Sequence, residues 1–501
     1  PKYDLQYYIL QLLDKEIYAR PSAISSSLIS LIKCDPNINL FLKTDFNNEF
    51  NQLQIQMVEE LSNQSLLIKL MSLLPIPDLE IELFLTKIRY FILFNILKVL
   101  NMPDILKFQT ALALQCFINE YLYKESDEET KLIEGLENSI QLTLLNNKEI
   151  DPIKILCLAS YRPLHIYSWC NLISLPKQSE IIIKSQINNY ILEKKLSSEM
   201  PVVEQINDLV SYKVRQQYEE SPYPKWVNVG LHLKPFTINK LVEVIELKLV
   251  NKKITSVISP DILIAGCGTG DHSLNTASRF KDSNILAVDL SLRSLAYAKR
   301  RTIELGIKNI KYMQSDILNL KKIDKQFDII ESCGVLHHME KPMAGWKVLV
   351  DCLKTGGLMN IALYSEIGRE HIVNMRNKIE QFDLTAEETK MKLFRNYIIN
   401  SEPDYNREIL LASSDFYSLS AFRDLLFHVE EHRFTLIQIR DCLHELGLEF
   451  CGFEKNEITS DFKLKNFGEN DQYDLKKWDE YEKLNPQTFN NMYQFWCQKT
   501  K

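Results

Sequence analysis

Residues 261–270 read DILIAGCGTG: four apolar residues after Asp261, then Gly266, Gly268 and Gly270 alternating with Cys267 and Thr269. A short apolar run that ends at a glycine turn is the pattern of a fully buried strand. Glycine lets the backbone come close to a ligand, and a helix opening just after it offers unpaired N–H donors. The polar run from Asp271 supplies that helix. Strand, glycine loop and helix in this order define the entry unit of an α/β nucleotide-type fold.

The same alternation continues downstream. Asn284–Val288 is predicted as a second strand ending at Asp289, and Ser291 caps a helix that Gly306 stops. Asn309–Met313 and Phe327–Glu331 are the third and fourth strands. Pro342 opens a helix stopped by Gly356-Gly357, before a fifth strand at Leu358–Leu363. Ile437–Leu446 reads as a helix, and Leu448–Phe453 and Met492–Cys497 as two more strands. These elements specify a doubly wound, Rossmann-like sheet of seven strands. Residues 369–432 read as a helical insertion, placed after a strand's carboxyl end and so over the ligand crevice.

Upstream the character differs. The chain has 501 residues and only 14 glycines, nine of them between Gly266 and Gly368. Residues 1–205 hold a single glycine, Gly135, and apolar residues recur at three- and four-residue spacing, as in Leu83, Ile88, Phe91 and Ile92. This is the pattern of a large all-α N-terminal domain. Ser126 with Glu129 is a capping box. Domains are therefore expected at 1–205 (helical), 206–368 (ligand-binding), 369–432 (insertion) and 433–501 (final strands). Between the first two lies Tyr218-Glu219-Glu220-Ser221-Pro222-Tyr223-Pro224-Lys225-Trp226, an aromatic, proline-stiffened loop that reads as a lid or as packing.

Composition excludes disorder, and a net charge of −7 excludes affinity for nucleic acid through basic surface. Ten scattered cysteines without a C-x-x-C pair suit reduced thiols. No signal peptide and no bilayer-length apolar run are visible, though the chain begins at Pro1. A cytoplasmic protein without membrane insertion is the expectation.

Ligand chemistry follows from the acids. Asp289 lies 23 residues after Gly266, at a strand end where a carboxylate accepts both hydroxyls of a ribose. A dinucleotide site wants G-x-G-x-x-G, but the last place holds Asp271, which a pyrophosphate would disfavour. S-adenosylmethionine carries a sulfonium and no phosphate, so an acidic helix start suits it. Asp316, after the third strand, is placed for the adenine amino group.

The ordered set Ile262–Gly270, Ala287-Val288-Asp289, Ser315-Asp316-Ile317, Phe327-Asp328-Ile329-Ile330 and Gly334-Val335-Leu336-His337-His338-Met339 resembles the Rossmann-like S-adenosylmethionine-dependent methyltransferases. The flanking segments Tyr218–Trp226, Leu363–Arg369, Arg423–His432 and Asn485–Lys499 resemble bacterial members with a large helical region. Domain order and Ile/Asn/Lys-rich usage are most similar to the rickettsial-type protein-lysine methyltransferases that modify an outer-membrane surface protein. The resemblance implies a cytoplasmic homodimer that methylates lysine side chains. It implies cofactor contacts at Gly266, Cys267, Gly268, Thr269, Gly270, His272, Asp289, Leu290, Ser315, Asp316, Ile317, Cys333 and Gly334.

The acceptor side is expected at the crevice mouth. His337 and His338 follow the fourth strand and Tyr364 and Glu366 the fifth, with Tyr218, Tyr223 and Trp226 able to close over them. These supply the catalytic candidates His337, His338, Tyr364, Glu366, Tyr218 and Trp226. His428-Val429-Glu430-Glu431-His432 fits the H-x-x-E-H zinc pattern, which on a helix puts both histidines on one face. The surrounding frame explains it without metal, as a polar cluster of Arg423, His428, Glu431 and His432. Two other readings stay open: a methyltransferase for a small molecule or another side chain, and a helical scaffold with an inert methyltransferase domain.

Overall fold

The computed structural model describes residues 2–44, 52–100, 102–454, 456–465, 468, 470–489 and 491–500. The chain forms two compact units. One comprises Pro1–Leu192, Lys225–Gly230 and Leu384–Leu425, and the other Glu193–Pro224, Leu231–Asp383 and Leu426–Lys501.

The first unit is helical. Its core gathers Leu85, Ile88, Ile92, Phe108, Leu112 and Leu156, all fully buried. The helix Asp127–Leu145 begins with the expected capping box of Ser126 and Glu129. Residues 384–425 join this unit through a buried, two-pronged ion pair: Arg395 donates to both oxygens of Glu82 at 2.7 and 2.6 Å. The Arg395 guanidinium also lies 4.5 Å from the Phe416 ring. Residues 225–230 are tied in by Lys225 on Glu120 at 2.5 Å and by the Val229 N–H on the Glu16 carbonyl. The span expected as one insertion, 369–432, is thus divided: residues 384–425 belong to the helical unit, and its two flanks to the other.

The second unit holds one sheet of β1 (Asp261–Ala265), β2 (Asn284–Asp289), β3 (Ile310–Gln314), β4 (Phe327–Cys333), β5 (Leu353–Tyr364), β6 (Leu448–Phe453) and β7 (Met492–Lys499). The order is β3-β2-β1-β4-β5-β7-β6, and only β7 runs antiparallel to its neighbours. This is the Rossmann-like seven-stranded arrangement expected. The inner strands β1 and β4 are buried on both faces, which is why β1 reads as an apolar run and β4 does so apart from Asp328, Glu331 and Ser332. Residues 193–205 belong here because the Gln314 and Val203 amides bond the Pro201 and Gln314 carbonyls along β3. The boundary expected at 205 therefore falls earlier, at Glu193.

Helices relevant to the site are α1 (Leu209–Glu220), α2 (Asp271–Arg279), α3 (Leu292–Glu304), α4 (Pro342–Cys352), α5 (Glu370–Gln381) and α6 (Leu436–Leu446). Ser291 caps α3, and Gly306 follows its end at φ +69°. Gly356-Gly357 does not separate α4 from the strand. α4 ends at Cys352, and both glycines lie inside β5. A Cβ on Gly357 would stand 2.9 Å from the Asp328 carbonyl, so glycine serves close strand approach there, beside a register shift between Phe327 and Ile329.

The strand order reverses between β1 and β4. In such sheets ligands bind outside the carboxyl ends at this point.

Candidate active site

The glycine loop leaves β1 with Gly266, Gly268 and Gly270 all at positive φ, +80°, +51° and +89°. Their missing side chains leave space for specific neighbours. A Cβ on Gly266 would stand 2.3 Å from Val335, and one on Gly270 2.6 Å from the Cβ of Ala298. A Cβ on Gly268 would meet the Tyr223 carbonyl at 3.0 Å, so the Tyr223–Pro224 turn lies directly on the loop. Thr269 Oγ1 donates to the Pro224 carbonyl. Cys267 is buried, and burial pushes its thiol well above the ordinary range, leaving it unreactive.

Asp289 closes β2. Its carboxylate accepts the Gly268 N–H at 2.8 Å and the Ser291 N–H at 2.9 Å. Burial pushes it up to about 6 despite those bonds. The Leu290 carbonyl accepts from Gln314 at 2.7 Å. Asp316 caps the turn Ile317–Ile323 through the Leu318 N–H at 2.9 Å, and burial raises it too. Ser315 Oγ donates to the Asp316 carbonyl. Cys333 and Gly334 end β4, with the Gly334 N–H on the Ala362 carbonyl.

His272, two residues past Gly270, donates from Nε2 to Glu331 at 2.7 Å. Glu331 is 1% exposed in the middle of β4, and Thr276 Oγ1 donates to the same oxygen at 2.5 Å. Glu331 ends the stretch expected as the fourth strand and was not among the expected site residues. β4, FDIIESC, carries two buried acids, Asp328 and Glu331, and these were the available signal.

At the carboxyl ends of β4 and β5 three imidazoles meet. The His337 ring stacks on Tyr364 at 3.7 Å, and that of His338 on His428 at 3.6 Å. Main-chain partners fix each tautomer. The Tyr364 N–H reaches His337 Nδ1 at 3.2 Å, so the neutral ring carries its proton on Nε2. That Nε2 is buried and has no hydrogen-bond partner. His338 Nδ1 lies 2.7 Å from the Glu430 carbonyl, so Nδ1 is the donor and Nε2 keeps its lone pair. The Glu430 N–H points to His428 Nδ1 at 3.2 Å, and His428 Nε2–H then donates to the Tyr218 hydroxyl at 3.1 Å. Burial, reinforced by mutual repulsion and Arg369, holds His337 and His428 well below the ordinary range. It pushes His338 down to about 4. All three rings are neutral at pH 7.

Residues 427–434 form an irregular strap across these strand ends, not the helix expected of His428–His432. The His432 N–H bonds the His337 carbonyl and the Phe434 N–H that of Tyr364. Glu431 anchors the strap: Arg369 donates to both its oxygens at 3.0 and 2.8 Å, with both side chains buried. Burial alone would raise Glu431, but Arg369 and Arg376 hold it below the usual carboxylate range. Glu431 is thus committed to arginine. Among the described residues, no three His, Cys, Asp or Glu side chains are grouped as a metal site.

Of the six catalytic candidates, His337, His338, Tyr364 and Tyr218 come together. Glu366 does not join them: half exposed, it pairs with Arg433 at 3.3 Å. Trp226 belongs to the helical unit, as does Arg423 of the expected polar cluster. Glu431 stood in the His428–His432 run, but its pairing with Arg369, 62 residues away, had no local signal.

The loop, with its positive-φ glycines and the two buried carboxylates Asp289 and Asp316, fits a ligand with ribose hydroxyls and an amino-bearing base and no phosphate. Residues 262–357 match the family described as a methyltransferase domain. An uncharacterised Synechococcus protein is 30% identical over 235 residues, 44% of this chain and 56% of that one. An uncharacterised Rickettsia prowazekii protein is 28% identical over 176 residues, 34% and 65% of the respective chains. The chain thus spans only about half to two thirds of these relatives. Among solved structures, PKMT2 of Rickettsia typhi in complex with AdoHcy aligns at 16% identity and a TM-score of 0.41, over 56% of this chain and 55% of that one. Residues 262–357 are thus a methyltransferase domain, and the cofactor of such a domain that this loop fits is S-adenosylmethionine. No helix among the described residues is long and apolar enough to cross a membrane.

Proposed function

We infer that the protein methylates lysine side chains of a protein, in the manner the sequence resemblance implies: an outer-membrane surface protein modified in the cytoplasm by a homodimer whose helical unit docks the substrate. The observation that carries the acceptor chemistry is the Nε2 lone pair that the Glu430 carbonyl leaves on neutral His338. The cofactor supplies a methyl group already activated on a sulfonium. The protein's own task is therefore alignment and a neutral nitrogen.

A free lysine has a pKa near 10.4, so deprotonation at pH 7 costs about 4.6 kcal/mol. His338 does not take that proton, which the ammonium gives up to solvent before the neutral amine attacks. At about 4 it binds a proton roughly a million-fold less tightly than the amine does. Its Nε2 lone pair instead accepts an N–H of the nitrogen and so turns that nitrogen's own lone pair away from the ring. His337, fully buried with its Nε2–H turned inward, backs the site by stacking on Tyr364. The three neutral rings add no charge against an arriving ammonium, and Glu431 offsets part of the charge of Arg369, Arg376 and Arg433. Tyr364 and Tyr218 supply walls that exclude water.

The test is mass spectrometry of candidate surface proteins after incubation with isotope-labelled cofactor. Label on lysine side chains supports the reading. Label confined to small molecules or to other side chains overturns it.

A further inference from the structure

Glu331 is a buried charge that the acceptor chemistry leaves unused. A carboxylate in the middle of a parallel sheet is costly unless paired. Here one oxygen receives Thr276 Oγ1 and His272 Nε2, while the other is buried without a partner. Arg279, one helical turn beyond Thr276, makes its own ion pair with Glu454 at 2.8 Å. The cation in direct contact with Glu331 is therefore His272. Nε2 of that ring is committed to the carboxylate, and the side chain is about a third exposed, on the first turn of α2 beside the glycine loop. Burial disfavours charging the ring, but Glu331 outweighs burial and raises His272 above the ordinary histidine value. Nδ1–H is then a cationic donor next to the helix's own unpaired N–H groups.

We propose that Glu331 is a positioning residue that presents His272 to the carboxylate at the amino-acid end of S-adenosylmethionine. The proposal rests on the cofactor assignment. It implies that the two halves of the cofactor are read by separate groups: the adenosine half by Asp289 and Asp316, the amino-acid half by His272 backed by Glu331.

Calorimetry with three probes tests it. S-adenosylhomocysteine carries the carboxylate and the ammonium, decarboxylated S-adenosylmethionine only the ammonium, and 5′-methylthioadenosine neither. Glu331→Gln is expected to weaken S-adenosylhomocysteine about tenfold and to leave the other two unchanged. His272→Gln should give the same pattern, and carries the test if Glu331→Gln does not fold. In wild type, S-adenosylhomocysteine affinity should fall as pH rises through the titration of His272, followed by NMR. In Glu331→Gln both events should move to lower pH. The other charges facing His272 are Asp271 on its own helix and Glu454 after β6. Equal losses for all three probes would mark a general structural role and overturn the proposal. So would a loss for decarboxylated S-adenosylmethionine, or no loss at all. If wild type binds none of the probes, the cofactor assignment itself fails.

Discussion

The glycine loop allows a test in which backbone strain and steric contact are separated by control. Gly270 and Gly306 both have positive φ, +89° and +69°. A Cβ added at Gly306 meets nothing within 4 Å, whereas at Gly270 it would stand 2.6 Å from the Ala298 Cβ and 3.0 Å from its Cα. Gly306→Ala therefore carries only the left-handed penalty, about 1–2 kcal/mol, part of it returned by the stiffer unfolded chain. Gly270→Ala carries the same penalty plus overpacking of about 1–3 kcal/mol, since carbons settle no closer than about 3.5 Å. Ala298→Gly removes the opposing methyl and by itself costs about 1 kcal/mol in the middle of α3. The double variant should therefore be more stable than the two single losses added together, by about 1–3 kcal/mol. Urea unfolding, read by hydrogen exchange of the β1 and β2 amides so that the sheet unit is monitored alone, measures all four proteins. With a urea slope of about 2 kcal/mol/M, the gap between Gly270→Ala and Gly306→Ala is about 0.5–1.5 M in midpoint. Equal midpoints, or a cycle with no coupling, would refute the steric half of the argument.

Three further outcomes are expected. Asp289→Ala should weaken S-adenosylhomocysteine by tenfold or more, because a charge-assisted acceptor is worth about 1.5–3 kcal/mol, and in wild type that ligand should bind more weakly as pH falls through about 6, where Asp289 protonates; calorimetry from pH 7.5 to 5 checks both, and a flat profile contradicts them. The folded state holds His338 near 4 against about 6.5 unfolded, so the unfolded chain takes up the proton first and stability falls as pH drops through that window, by about 3 kcal/mol for this ring. His338→Gln should flatten the slope of urea stability against pH between 6.5 and 5; an unchanged slope counts against neutral burial. Glu431→Gln leaves Arg369 buried without its counter-charge and should cost about 3–5 kcal/mol, whereas Arg369→Met with Glu431→Leu should cost far less; thermal melts of the three proteins decide it.

How much of this was legible in the sequence depended on whether the deciding interaction was local. β1 and β2 announced themselves as short apolar runs, β4 through Phe327, Ile329 and Ile330 despite its two acids, and Asp289 stood out as the acid that ends a strand. Ser291, Gly306 and the Ser126–Glu129 box act within a few residues of themselves, and each was readable. Gly356-Gly357 misled because the same pair that stops a helix also lets β5 close on the Asp328 carbonyl. The His428–His432 run misled for a related reason: its four-residue spacing fits a helix, but His428, Glu430 and Glu431 find their partners in His338 and Arg369, 62 to 92 residues away. The division of residues 369–432 turned on Glu82 and Arg395, separated by 313 residues.

The charges whose partners the sequence could not name share one property. Glu331, Arg369, Glu431 and Arg395 are charges buried at 1–4% side-chain exposure, and a charge is tolerated there only with a partner brought in by the fold. Periodicity cannot name that partner, but it does expose the anomaly. The other buried acid of its strand, Asp328, is matched by Lys354 at 2.9 Å, whereas local rules alone predict a loss of stability at Glu331. A fold that keeps such a residue against its own stability keeps it where something else is gained. Glu331 lies behind the glycine loop and is joined to it through one imidazole. Arg395 and Glu82 satisfy each other completely and need no ligand. Glu331 has an unpartnered oxygen and a half-committed histidine, and that incompleteness separates a residue of the site from a residue of the core.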